Sequence, residues 1–280
     1  MLLTKVTTAS ISGELLYHQP YSSNSLLFGN VMFYKTIILV LSLIAGNIPT
    51  YAAMTISGTR VIFPAAQKEV NIRTNNKGAE PALVQVWVDD GSSNTKINDV
   101  KIPFMVTPPV FRVEGGKGQS VRMIYNGMAL PQDKESVFWF NMLEIPAVQK
   151  ENSDKNKLEL AFRTRIKIFY RPTTLDSSSE QQKEKLQWEL VNDSQKGQGV
   201  KVTNPTPYYF SFDSGDVTAG GKKVELNTEM LAPHSTLVFY PKNKVSGISA
   251  MNYKLLNDYG AAIEENLSFV QGKGVIVTKQ

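Results

Sequence analysis

The chain beyond residue 52 predicts an all-β protein: its apolar residues come in short runs, Gly, Pro, Asn and Asp separate the runs, and no long segment carries a helical period. Six or seven short strands within roughly 120 residues match an immunoglobulin-like sandwich. A second set of similar size follows, so two such domains are expected. Side-chain packing has to hold them together, since the sequence contains no cysteine and therefore neither a disulfide framework nor a thiolate metal site.

The segments ahead of the strands set the compartment. Lys35 is followed by the apolar run Ile37 to Ile44, broken only by Ser42, and then by Pro49 and the small-residue sequence Thr50-Tyr51-Ala52-Ala53. A membrane-spanning helix needs about 20 apolar residues, whereas a secretory leader needs roughly 7 to 15, so residues 32–52 are expected to be a signal peptide cut after Ala52. Residues 1–31 carry no clear periodicity and include the polar Tyr21-Ser22-Ser23-Asn24-Ser25. They are expected to be an upstream extension without a folded role, with translation starting at Met32.

The first set of strands is expected at Ile56 to Phe63, Glu69 to Thr74, Leu83 to Asp89, Val121 to Tyr125, Val137 to Leu143 and Leu158 to Tyr170, within an N-terminal domain at 53–174. The last of these is unusual. Leu158, Leu160, Phe162, Ile166, Ile168 and Tyr170 share one parity and point to one face, while Glu159, Arg163 and Arg165 point to the other. Pro146 and the charged Lys150-Glu151-Asn152-Ser153-Asp154-Lys155 place a hairpin end in solvent just ahead of it. An apolar ladder emerging there fits a strand built for another chain. Arg163 and Arg165 either tune partner choice or keep the strand edge soluble.

The polar Asp176-Ser177-Ser178-Ser179-Glu180-Gln181-Gln182 centres a hinge expected at 175–184. Beyond it, strands are expected at Lys185 to Val191, Gly199 to Asn204, Tyr208 to Asp213, Lys223 to Leu226, Ser235 to Tyr240, Met251 to Leu256 and Leu267 to Val270, in a C-terminal domain at 185–280.

Residue inventory argues against catalysis. Downstream of the leader His234 is the single histidine, in the turn Ala232-Pro233-His234-Ser235, which with the absence of cysteine excludes most nucleophile and zinc constellations. Glu114-Gly115-Gly116-Lys117-Gly118-Gln119-Ser120 lacks the spacing and following helix of a phosphate loop and reads as a hairpin turn. Asp89-Asp90-Gly91 could suggest calcium, but a turn rich in Asp and Gly explains it better. The net charge of +5 is spread among interleaved acids and bases, which is a solvated surface rather than a nucleic-acid arm.

Several motifs in order resemble the PapD-like periplasmic pilus chaperones: Gly58-Thr59-Arg60-Val61-Ile62-Phe63, Thr107-Pro108-Pro109, Leu130-Pro131-Gln132-Asp133-Lys134-Glu135-Ser136, Phe138-Trp139-Phe140-Asn141, Glu144-Ile145-Pro146, Ile166 to Pro172, Asn204-Pro205-Thr206-Pro207-Tyr208-Tyr209 and Asn257-Asp258-Tyr259-Gly260. Each is short, and their order carries the resemblance across the whole chain beyond the leader. It implies two immunoglobulin-like domains at an angle, with a cleft that receives one end of a fimbrial subunit. Arg60 and Lys167 match cations that grip the subunit's terminal carboxylate. Leu158, Leu160 and Phe162 match side chains lent to a subunit that lacks a strand. Glu135, Arg171 and Asp258 match an ion-pair network across the domain junction, read here as exposed pairs that set orientation more than stability. The loop from Ala147 to Lys157 resembles the short-loop branch associated with rod-like pili.

The implied function is a non-catalytic periplasmic chaperone that stabilises fimbrial subunits and passes them to an outer-membrane usher. No ATP, cofactor, nucleic acid or small-molecule substrate is implied, and self-association of the free form through its ladder is an open possibility. An exported immunoglobulin-like adhesin or structural surface module is the alternative. One departure is the absent disulfide that some relatives carry in the second domain. Lys167 also has the opposite parity to the ladder, so the sequence leaves open how both reach one ligand.

Overall fold

Alternating burial shapes the strands of the computed structural model, which describes residues 54–92, 102–146, 160–270 and 274–277. In the N-terminal half these are β1 (Met54–Ile56), β2 (Arg60–Pro64), β3 (Glu69–Asn76), β4 (Ala82–Asp89), β5 (Phe104–Thr107), β6 (Val110–Val113), β7 (Gly118–Tyr125), β8 (Ser136–Pro146) and β9 (Phe162–Arg171). They form two sheets, ordered β1-β3-β7-β5 and β2-β9-β8-β4-β6. In β4, Ala82, Val84 and Val86 turn inward while Leu83 and Gln85 face out, the alternation of a half-buried strand. Phe63, Val84, Val121, Phe140 and Ile168 are fully enclosed between the sheets.

The C-terminal half begins with the short helix α1 (Ser179–Gln182) inside the expected hinge. Ser178 caps it, accepting from the Gln181 N–H, and the Gln181 side chain accepts from the Ser178 N–H in return. There follow β10 (Gln187–Asp193), β11 (Gly197–Asn204), β12 (Ser211–Ala219), β13 (Lys222–Glu225), β14 (Ser235–Phe239), β15 (Ile248–Leu256), β16 (Ala262–Val270) and β17 (Gly274–Val277). Sheets β10-β11-β14 and β13-β12-β15-β16-β17 enclose a separate core around Val200, Val202, Leu231, Phe239 and Met251. Both sandwiches belong to one unit, Tyr51–Gln280.

The strands differ from those expected in several places: the strand expected from Leu158 starts at Phe162, leaving Leu160 just ahead of it, the strand expected from Leu267 starts at Ala262, and β17 was not expected. The strand expected at Ile56 to Phe63 is two strands in two different sheets, because the chain turns at Gly58, whose φ of +100° a side chain would strain. The short β5 and β6, on either side of Pro108-Pro109, were not expected as strands. The strand expected from Tyr208 starts at Ser211, because Asn204 ties the preceding residues into a loop: its Nδ2 donates to the Tyr208 carbonyl at 2.7 Å and its Oδ1 accepts from the Thr206 N–H at 2.9 Å. The strand expected from Lys185 starts at Gln187, after a 3-10 turn at Lys183–Lys185. The expected leader, the extension at 1–31 and the loop at 147–157 lie outside the described residues.

Candidate functional site

The switch of sheets at Gly58 creates the site. β1 pairs with β3 in one sheet, whereas β2 crosses to the other and pairs in parallel with the second half of β9, from Arg60 opposite Lys167 to Pro64 opposite Arg171. The first half of β9, Phe162 to Ile166, therefore has β8 on one side and no described strand on the other. Its backbone groups on that side form an open edge.

Apolar side chains accompany the edge. Leu160 is 53% exposed and Phe162 52%, although Ile166, Ile168 and Tyr170 of the same parity are buried. The ladder thus divides: its second part fills the domain's own core, and its first part runs past the end of it. Leu158, expected to continue the ladder, lies outside the described residues.

Arg60 and Lys167 stand directly opposite one another where the open edge ends, on the outer face of the sheet. This resolves the parity difficulty, because ladder and cations flank the same edge from opposite faces. Arg60 Nη1 donates to the Leu256 carbonyl at 3.0 Å, its guanidinium lies 5.7 Å from the centre of the Phe169 ring, and its buried Nε has no hydrogen-bond partner among the described residues. Burial pulls the Lys167 ammonium below its ordinary range, and the Arg60 charge lowers it further. Burial also lowers Arg60, against the opposing pull of Asp258 and Glu135. Half-buried cations so placed each gain from a counter-charge brought beside them.

Glu135, Arg171 and Asp258 come together at the junction of the two sandwiches. Arg171 Nε donates to Glu135 Oε1 at 2.8 Å, while Nη1 and Nη2 donate to the two Asp258 oxygens at 2.7 and 3.0 Å. The second Glu135 oxygen accepts from the Tyr209 N–H at 2.8 Å. Glu135 is only 3% exposed, so these are buried contacts and not the exposed pairs expected. Burial raises the Glu135 carboxyl against the Arg171 charge. Burial pulls Arg171 down, but the hydrogen bonds of Asp258 and the charge of Glu135 outweigh it and hold the guanidinium above its ordinary value.

Two junction contacts escaped the sequence reading. Phe169 packs its ring 5.7 Å from that of Tyr209, and Thr59 sits so close to Gly260 that a Cβ there would lie 2.2 Å from its hydroxyl. The signal for the first was present: Phe169 is an aromatic residue on the otherwise polar parity of β9.

Comparison with known proteins agrees with the two-domain all-β fold. Residues 53–176 match the family described as "Pili and flagellar-assembly chaperone, PapD N-terminal domain", and residues 181–267 match "Pili assembly chaperone PapD, C-terminal domain". The chain belongs to the PapD family of pili assembly chaperones. It is 40% identical over 242 residues to the probable fimbrial chaperone YadV of Escherichia coli K12, covering 83% of this chain and 96% of that protein. It is 37% identical over 243 residues to the chaperone HifB of Haemophilus influenzae, with the same coverage of 83% and 96%. The crystal structure of YadV superimposes with a TM-score of 0.65 at 41% identity, covering 76% of this chain and 98% of that one.

Outside the cleft, the turns of this PapD-family chaperone have structural roles. The Glu114 to Ser120 run is not the hairpin expected: a tight turn, closed by the Lys117 N–H on the Glu114 carbonyl at 3.1 Å, carries the chain from β6 in one sheet to β7 in the other. In Asp89-Asp90-Gly91 the Gly91 N–H donates to Asp89 Oδ1 at 2.9 Å, as an Asx turn does. Among the described residues no helix is long and apolar enough to cross a membrane.

Proposed function

We propose that this pili assembly chaperone works in the periplasm after removal of the leader at 32–52, and that it lends the open edge of β9 to fimbrial subunits before an outer-membrane usher takes them. One observation carries the reading: the Arg60 and Lys167 pair stands where the open edge ends and β2 begins. A chain laid along Phe162 to Ile166 has to stop at β2. Its terminal carboxylate then lies at the two cations, and because β2 itself runs parallel to β9, a strand ending at its start also runs parallel to β9.

Such strand addition satisfies backbone groups on both partners, while Leu160 and Phe162 enter the subunit's apolar groove. Each apolar side chain so buried contributes roughly 1.5 to 3 kcal/mol before ordering costs. Charge-assisted hydrogen bonds from Arg60 and Lys167 add about 1.5 to 3 kcal/mol each and set the register of the incoming strand. The Arg171 fork to Glu135 and Asp258 holds the second domain against the cleft. Nothing in this scheme calls for ATP or a cofactor, since subunit capture is driven by burial and charge pairing. Family membership favours it over an adhesin or structural surface module.

The test is native mass spectrometry of the tagged protein recovered from periplasm that co-expresses a fimbrial subunit. Wild type is expected as a one-to-one complex, and an Arg60→Ala, Lys167→Ala double variant as free protein. A complex of undiminished abundance in the double variant would remove the carboxylate anchor from the account.

A further inference from the structure

The outer face of the sheet carries a second charged cluster that neither strand addition nor the cleft uses. Register places Asp89 of β4 beside Trp139 of β8, and Trp87 beside Asn141, with Asn141 in turn opposite Arg165 of β9. Arg163 Nε and Nη2 donate to Asn141 Oδ1 at 3.0 and 2.7 Å, and Nη2 also reaches Asp89 Oδ2 at 3.2 Å. Arg165 Nη2 donates to Asp89 Oδ1. Asn141 completes the circuit by donating to Asp89 Oδ2 at 2.8 Å. Each guanidinium also covers an indole, Arg163 at 5.0 Å from the Trp87 ring centre and Arg165 at 4.8 Å from that of Trp139.

Position makes the cluster informative. Both arginines sit on the half of β9 that lacks a strand on one side, and both side chains reach across β8 to β4. An edge segment bonded to a single neighbour frays unless something else holds it. We infer that Arg163, Arg165, Asp89 and Asn141 form a three-strand clamp that keeps the first half of β9 flat and in register, so that its open edge is already organised when a partner strand arrives. The arginines act as positioning residues: they turn away from the open edge, with Arg163 Nε and Nη2 and Arg165 Nη2 bonded to Asp89 and Asn141. Asp89 is the hub, because both arginines and Asn141 converge on its carboxylate, and the Gly91 N–H fixes its rotamer. A preorganised edge loses less conformational entropy on binding, which favours faster capture. The importance of that last step rests on the proposed strand-lending function. The clamp itself does not.

Amide hydrogen exchange of the full free chaperone tests it. In Asp89→Ala, protected amides within Phe162 to Ile166 are expected to exchange about tenfold faster, as loss of charge-assisted contacts near one end of a strand allows, with rates in β3, β7 and the C-terminal sheets unchanged. Asp89→Asn keeps hydrogen-bonding capacity without the charge and is expected to fall between. Should Asp89→Ala fail to fold, the Arg163→Gln, Arg165→Gln double variant gives the same readout. Unchanged exchange at Phe162 to Ile166, or acceleration spread evenly through the N-terminal domain, would overturn the clamp. Subunit capture by the same variants is then compared with wild type, with slower capture expected. If wild type itself captured no subunit, the strand-lending function would fail while the exchange data still decided the clamp.

Discussion

The two halves of β9 share one alternation of side chains and meet opposite surroundings. From Lys167 to Arg171 the strand lies between β2 and β8, its even residues fill the core, and its odd residues meet the second domain through Phe169 and Arg171. From Phe162 to Ile166 it has a single strand neighbour among the described residues, its apolar residues begin in solvent, and its charged residues are tied down across β8. One half makes the protein stable. The other keeps an edge available, which stability alone would not favour.

The largest effect expected from breaking this contrast is at Arg171. Arg171→Ala leaves Glu135 buried without its cation, and removing one partner of a buried pair costs about 3 to 5 kcal/mol. Urea titration followed by tryptophan fluorescence should register that loss, and small-angle scattering should show the two sandwiches sampling a wider range of orientations. A loss below about 1 kcal/mol would mean the fork behaves as an exposed pair. Arg171→Lys should recover only part of it, since an ammonium lacks the planar fork that holds Asp258 with two donors while a third reaches Glu135.

Next come two truncations on the same face of β9. Ile168 is 0% exposed, so Ile168→Ala is expected to destabilise the N-terminal domain by about 2 to 5 kcal/mol. Phe162→Ala should change stability by less than about 1 kcal/mol while weakening subunit capture. Comparable melting losses for both variants would erase the distinction between the two halves.

The smallest effect is a pH dependence of binding. Lys167 in the free protein sits below its ordinary value of 10.5, first through burial and then through the Arg60 charge. A bound carboxylate favours the ammonium and raises that value. Affinity is therefore full below the free-state pKa and falls as pH rises through it toward the bound-state value. Calorimetric titration with a peptide ending in the subunit's C-terminal sequence should show this decline at alkaline pH, and Lys167→Arg should flatten it. A decline that persists in Lys167→Arg would assign the titration elsewhere.

Much of this was legible in the residues. The alternation in β4 and β8, the long strand at β9 and the turn chemistry between strands are local properties, and they predicted the all-β class. The motif order pointed to Arg60, Lys167, Glu135, Arg171 and Asp258 before any of them could be seen to touch. Other features resisted such reading. The split of Ile56 to Phe63 depends on one glycine conformation, and its consequence appears on a strand far along the chain. Burial of Glu135 could not be foreseen either, because it comes from Tyr209 and Asp258 of the other domain. Arg163 and Arg165 read in the sequence as residues that tune partner choice or keep the edge soluble, and their link to Asp89, two strands away, appears only in the folded sheet.

Periodicity, turn residues and the missing cysteine were enough to establish what kind of elements this chain forms and that packing alone stabilises them, since each depends on residues adjacent in sequence. Which edge stays open, which cations meet there and which acids are buried belong to the assembled sheets. An edge is defined by the strand that is not beside it, and a charge by the distant groups that desolvate or pair with it, so both emerge only when the sandwiches close.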